Sequence, residues 1–266
     1  MYSINNLKVC VLISCMHQKD ASIIKRTNIQ TDVVVVNQCD ENRVENSTFI
    51  NHQGRQCRVK LIYSTERGLS RSRNTAIANA MGDVCLICDD DEILADDYEE
   101  KIVSAFLEYP REHIIAFSIK HPQITNPQKT LRVGYCQSVK ISSVQIAFRK
   151  CDLVTAVHFC EKMGSGTGNG GGEENKFLVS CLRRGAKIRY VPKNIGLVAQ
   201  TESQWFKGYT KQYWVNRGWT SRMIYGSVMG LYYVFYCILF RNSKVDKLHS
   251  SLHIAQWMMK GFYENR

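Results

Sequence analysis

The chain of 266 residues lacks several features that would place it at once. It has no zinc-finger spacing, no basic region leading into heptads and no RNP-like aromatic strand, so a nucleic-acid-binding module is not expected. The opening Met1-Tyr2-Ser3-Ile4-Asn5-Asn6 has neither the charged start nor the apolar stretch of a secretory signal, and a cytosolic setting is expected. No unit repeats along the chain, which argues against a solenoid. Acidic residues are scarce beside basic ones, 24 against 35, giving a formal net charge of +11. That balance favours an anionic partner: nucleic acid, an anionic membrane face or a phosphorylated substrate.

Hydrophobic residues make up 44% of the chain, enough for a sizeable core. The 11 cysteines are an odd number, and Cys10, Cys15, Cys85 and Cys88 fall inside apolar runs. Reduced cysteines serving as small core residues are expected. Cys85 and Cys88 are three apart on a strand-like run and therefore face opposite sides. No second Cys/His pair at metal-site spacing accompanies them.

Residues 7–14, 32–37, 58–63 and 83–88 are apolar, β-branched runs of strand length. Their near-continuous apolar character suggests strands buried on both faces, as in a parallel sheet. Helices are expected at 69–81, capped by Ser70, and at 96–109, with acids in its first turn. This alternation predicts an α/β, Rossmann-like half up to about residue 120. Beyond it, 121–130 reads as a loop around Pro122 and Pro127, and 142–149 as a strand. The glycine run 164–172 cannot form a helix or strand interior and reads as a mobile loop. A helix at 173–184 follows, stopped by Gly185, and then a strand at 188–192.

Asp89, Asp90 and Asp91 come directly after the apolar run 83–88. In an open parallel sheet, ligands bind beyond the carboxyl ends of the strands. Three adjacent carboxylates repel one another unless a cation sits among them. A hard divalent ion, Mn²⁺ or Mg²⁺, prefers such oxygen ligands together with substrate phosphates. A solvated acidic loop leading into the next helix is the plainer alternative. Upstream, Gly68 allows a tight turn, and the helix start with Arg71 and Arg73 is placed to meet an anion.

The stretch RGLSRSRNTAIANAMGDVCLICDDDEIL, residues 67–94, resembles the family 2 glycosyltransferases of the GT-A fold. VCVLISC at 9–15 is similar to that family's first strand, and DVVVVNQCDE at 32–41 to its second. The resemblance implies a GT-A domain over 1–200, with a nucleotide-sugar half at 1–120 and an acceptor half at 121–200. A helical extension at 201–266 would follow. It implies that Asn37, Gln38 and Asp40 face the nucleobase, with Asn37 and Gln38 replacing a more usual acidic pair. It also implies that Gly68, Arg73, Asp89 and Asp90 take part in donor binding, and that Asp91 with Asp89 holds the metal. Of the acidic pair after the glycine run, Glu174 is the implied catalytic base and Glu173 its possible substitute. Sugar-polymer enzymes of bacterial surfaces are the most similar members. They imply an inverting transfer from a nucleoside-diphosphate sugar, a UDP-sugar foremost, to a glycan or lipid-linked glycan.

Residues 201–222 mix Trp205, Trp214 and Trp219 with basic residues. By resemblance Gln200, Trp205 and Arg217 belong to the acceptor side, whereas packing is the commoner role of such aromatics. Residues 223–240 carry no charge and lie between Arg222 and Arg241. They read as a membrane-associating helix on the inner face of the cell membrane, with a single span or a buried helix as alternatives. Lys244, Lys247 and Lys260 would then meet anionic headgroups. Two other functions compete with glycosyl transfer. A sugar-phosphate nucleotidyltransferase would normally carry a glycine-rich loop after the first strand, and residues 15–20 contain no glycine. A non-catalytic glycan- or lipid-binding protein of the same fold would have no need of both acid groups.

Overall fold

The computed structural model describes residues 7–122, 124, 126–199, 208–241 and 249–266. Gln200 and Trp205, expected on the acceptor side, lie outside the described residues.

The four expected strands are present as β1 (Val9–Met16), β2 (Asp32–Gln38), β4 (Gln56–Ser64) and β5 (Val84–Asp89), all parallel in the order β4-β2-β1-β5. Their alternating residues feed two cores. Val9, Val11, Ile13, Val33, Val35, Val84 and Leu86 pack on one face. Cys10, Leu12, Val34, Val36, Cys85 and Ile87 pack on the other. Burial on both faces accounts for the unbroken apolar runs. It also separates Cys88, in the first core, from Cys85 in the second. All 11 cysteines are free, and burial pushes the Cys15 and Cys181 thiols up to about 12.

Helix α2 (Leu69–Ala78) covers the second core through Ala76 and Ile77. Helix α3 (Tyr98–Glu108) covers the first through Tyr98, Ile102, Ala105 and Phe106; a short α1 (Ile23–Arg26) joins it there. The sheet extends at both sides. Strand β3 (Arg43–Ile50) adds an antiparallel edge on β4. Its residues are mostly exposed on both faces, so it lacks the apolar signal of the inner strands. Strand β9 (Ile146–Arg149) inserts antiparallel between β5 and β7 (Ile114–Lys120) and makes the sheet mixed. Beyond them lie β10 (Ile188–Val198) and β6 (Glu92–Leu94), with β8 (Leu131–Arg132) on β10. The expected strand at 188–192 runs on to Val198. Pro192, which has no N–H for the ladder, coincides with a register shift between Val191 and Asn194.

Two short helices, α4 (Tyr135–Ser138) and α5 (Asp152–Thr155), precede α6 (Glu173–Arg183), which buries Phe177, Leu178 and Cys181 against the second core. The C-terminal part is helical: α7 (Lys211–Tyr236), a wide turn through Cys237–Arg241, and α8 (Ser251–Tyr263). The stretch Lys211–Phe240 is long and apolar enough to cross a membrane by composition. Its geometry is different. Gly226 has φ 81°, and the chain reverses there. Arg217 donates a hydrogen bond to the Tyr233 hydroxyl, although residues 16 apart in a straight helix are separated by about 24 Å. The unbroken piece after the reversal reaches roughly 22 Å, short of a hydrocarbon core of about 30 Å. The single span at 223–240 is therefore not the arrangement found. Instead the two arms of α7 and α8 pack together around Trp214, Val234, Ile254, Met258 and Phe262.

Candidate active site

Arg73 organises the acidic groups. It lies on α2 at 3% exposure and reaches three elements. One guanidinium nitrogen donates to Glu173 Oε1 on α6 at 2.9 Å. The other donates to Asp89 Oδ1 at the end of β5 and to Ser143 Oγ, both at 2.9 Å. The face of the guanidinium lies 5.5 Å from the Phe159 ring. Burial opposes its charge, but Asp89 and Glu173 more than offset this and hold it cationic. Removing one partner from such a buried pair typically costs about 3–5 kcal/mol, because the other charge is left uncompensated.

Glu174 stands beside this network at the N-terminus of α6 and forms no ion pair among the described residues. Burial and the neighbouring Glu173 carboxylate push its carboxyl up to about 8. The two acids therefore differ sharply: Glu173 is locked to Arg73, while Glu174 is free to exchange a proton. Asp89, Arg73, Glu173 and Glu174 line one cleft of about 780 Å³, which continues along α7 past Asn216, Arg217 and Tyr233.

The glycine run 164–172 forms one wall of this cleft and is anchored to its surroundings. Ser70 Oγ donates to the Met163 carbonyl at 2.8 Å, and the Leu69 N–H donates to Ser165 O at 3.2 Å. Ser70 is thus an interior helix residue, and Gly68, at φ 119°, holds the cap position. The loop lies against the start of α2, and Arg71, expected near an anion, pairs with Glu161 at 2.9 Å. A Cβ on Gly164 would stand 3.0 Å from the Glu173 side chain, and one on Gly170 would stand 2.8 Å from Thr220 Oγ1. Glycine is needed there because the loop is pressed between α6 and α7.

The three residues expected at the nucleobase have partners within the chain. Asn37 is fully buried, and its side-chain amide clamps the main chain of Gln18, with bonds of 2.7 and 2.9 Å. Gln38 is buried too, and its carbonyl oxygen accepts from the Gly68 N–H at 2.7 Å. Both brace turns at the strand ends. Asp40 is on the surface and pairs with Arg67 at 2.6 Å.

Asp90 and Asp91 occupy the turn between β5 and β6. Partial burial and repulsion from Asp89 raise both carboxyls above their ordinary range, and at Asp91 the nearby His121 works in the opposite direction. Beneath them Glu92 is fully buried and pushed far higher by burial and by Asp89. A cation would relieve this mutual repulsion. Among the described residues no three acidic, His or Cys side chains form a ready metal cluster. The residues fit an ion held by one or two carboxylates with substrate phosphates completing its shell, the usual arrangement for Mg²⁺. Sequence reasoning missed Ser143. It sits on a 3-10 turn, Ser143–Gln145, within the expected strand 142–149, and no local pattern marks it.

A parallel half ending in aspartates, continued by a mixed sheet and an acid pair at the start of α6, is the architecture of the GT-A fold. The sequence pattern of glycosyl transferase family 2 matches residues 20–163, and the chain belongs to that family. It is accordingly a glycosyltransferase. TarS 1-349 of S. aureus in complex with UDP is similar at 15% identity, with a TM-score of 0.58 over 90% of this chain and 74% of that one. The same protein in complex with UDP-GlcNAc is 16% identical, with a TM-score of 0.56 over 95% and 70%. Mannosyltransferase PcManGT from Pyrobaculum calidifontis, in complex with GDP-Man and Mn²⁺, is 15% identical, with a TM-score of 0.56 over 95% and 74%. At these identities the likeness is one of fold. No curated protein sequence matches the chain.

Proposed function

We propose that the chain is a metal-dependent, inverting glycosyltransferase of polysaccharide biosynthesis. It moves a sugar from a nucleoside-diphosphate sugar, a UDP-sugar foremost, to a hydroxyl of a glycan carried on lipid. The observation behind this reading is the division of the acid pair. Arg73 ties Glu173 to Asp89, and Glu174, in the same cleft, has no ion pair among the described residues. The relatives of this fold that hold UDP-GlcNAc, or GDP-Man with Mn²⁺, support the donor class and the ion.

Asp91, with Asp89, would hold the divalent ion, which would supply positive charge beside the donor diphosphate. Asp89 is held in place by Arg73 and Ser143 at the strand end where donors bind. Glu174 accepts the proton of the acceptor hydroxyl while its oxygen bonds to the anomeric carbon. The bond from that carbon to the diphosphate breaks, and the nucleoside diphosphate leaves with its electron pair. The wall formed by 164–172 keeps out the water that would hydrolyse the donor. Single displacement reverses the anomeric configuration. Proton NMR of the turnover mixture should show a β-linked product from an α-linked donor; an α-linked product would rule out this mechanism.

We also propose that the second arm of α7 rests on the inner face of the membrane. Val228, Met229, Tyr232, Phe235, Tyr236, Leu239 and Phe240 recur at helical spacing and are all exposed, Val228 at 70% and Leu239 at 67%. A face this apolar suits the acyl–headgroup boundary. Replacing Val228 and Leu239 together by Asp should weaken co-sedimentation with anionic vesicles by about two orders of magnitude or more. Unchanged co-sedimentation would remove this face from the account.

A further inference from the structure

The cleft has two electrically different ends. At one end, Asp89, Glu173 and Glu174 surround Arg73, whose charge is matched by two carboxylates. At the other, Arg217 projects from α7 among Tyr213, Tyr225 and Tyr233. Arg217 has no carboxylate partner among the described residues. It donates a hydrogen bond to the Tyr233 hydroxyl, and its guanidinium carbon lies 5.5 Å from that ring. A guanidinium carries five N–H donors and stays charged at every physiological pH.

The arrangement is built by the fold. The reversal at Gly226 brings Tyr233 back over Arg217. A Cβ at Gly230 would stand 2.8 Å from the Ser221 carbonyl, so the two arms approach closely only because that position is glycine. Thr210, Gln212 and Asn216 complete an uncharged polar wall around the cation.

We propose that Arg217 and its tyrosine collar bind a phosphate group of the acceptor, so that the acceptor is a phosphate-bearing chain rather than a neutral glycan. This deepens the proposed function and rests on the acceptor entering along α7. The fork of a guanidinium matches phosphate oxygens two at a time, and a phenolic O–H can supply a further donor. The donor diphosphate belongs at the opposite, aspartate-lined end. Arg217 therefore reads a second anion, and the net charge of +11 favours a substrate of this kind.

The test uses the full chain, glycerol 3-phosphate and glycerol as probes, with and without saturating UDP or GDP and Mn²⁺. Calorimetry of the wild type should show glycerol 3-phosphate binding and no glycerol binding. R217Q should weaken glycerol 3-phosphate by about tenfold or more, while nucleotide affinity stays within about twofold. R217K, which keeps the charge and loses the fork, should bind more weakly than the wild type and more tightly than R217Q. Unchanged glycerol 3-phosphate affinity in R217Q would overturn the proposal. So would a loss of nucleotide affinity in R217Q, which would assign the guanidinium to the donor. If R217Q does not fold, the wild-type comparison decides: equal binding or equal non-binding of the two probes overturns the subsite. Absence of nucleotide binding in the wild type would count against the glycosyltransferase mechanism and leave the phosphate titration to be read separately. A lipid phosphate of short chain, if bound more tightly than glycerol 3-phosphate, would place the phosphate at the lipid link; equal binding would place it within the chain.

Discussion

Glu174→Gln should lower sugar transfer by about two to four orders of magnitude and leave donor affinity nearly unchanged. The amide keeps the size of the side chain and removes its ability to take a proton. Wild-type turnover should rise with pH until the carboxyl, raised to about 8, is ionised. The variant should lose that limb of the profile. Stability should respond in the opposite sense. A carboxyl whose folded pKa lies above its unfolded value is penalised wherever the unfolded chain is ionised and the folded group is not. For Glu174 that penalty grows as pH rises from its ordinary 4.5 towards 8. Glu174→Gln should therefore be at least as stable as the wild type at pH 8, measured by urea unfolding. Near-normal transfer by the variant would move the base to Glu173 or elsewhere. Glu173 is a poor alternative on geometric grounds, since its carboxylate is buried and bound to Arg73.

Much of this could be read from residue order, for a definable reason. Strands buried on both faces leave continuous apolar runs, and the helices between them carry one apolar side each. That made β1, β2, β4, β5, α2, α3 and α6 visible. Strand β3 was not, because as an edge strand it has little apolar pattern to offer. Strand β7 was missed for the opposite reason: a short apolar run after a helix has no periodicity that separates it from more helix. Within the site, the residue types were legible and their partners were not. Arg73 and Glu173 are 100 positions apart, and only the folded chain shows that they pair. The intrachain partners of Asn37 and Gln38 were not legible, because an amide at a strand end suits a ligand and a turn equally well. Burial assigns them to turns. The reversal at Gly226 was hidden in a charge-free run where a lone glycine is compatible with a continuous helix.

In the proposed mechanism the aspartate turn would hold the metal beside which the donor diphosphate binds. Partial burial, and after it the neighbouring Asp89, raise the Asp90 and Asp91 carboxyls, and a cation would offset the repulsion among them. Asp91→Ala should abolish metal-dependent donor binding and turnover together, with the fold intact, because Asp91 takes no part in the Arg73 network. The decisive measurement is calorimetric titration of UDP, GDP, dTDP and CDP into wild type and Asp91→Ala, each with and without Mn²⁺. The account predicts that the wild type binds one nucleotide tightly, only with Mn²⁺, and that the variant binds none in this way. Equally tight, Mn²⁺-dependent binding by the variant, or no binding by the folded wild type, would contradict it.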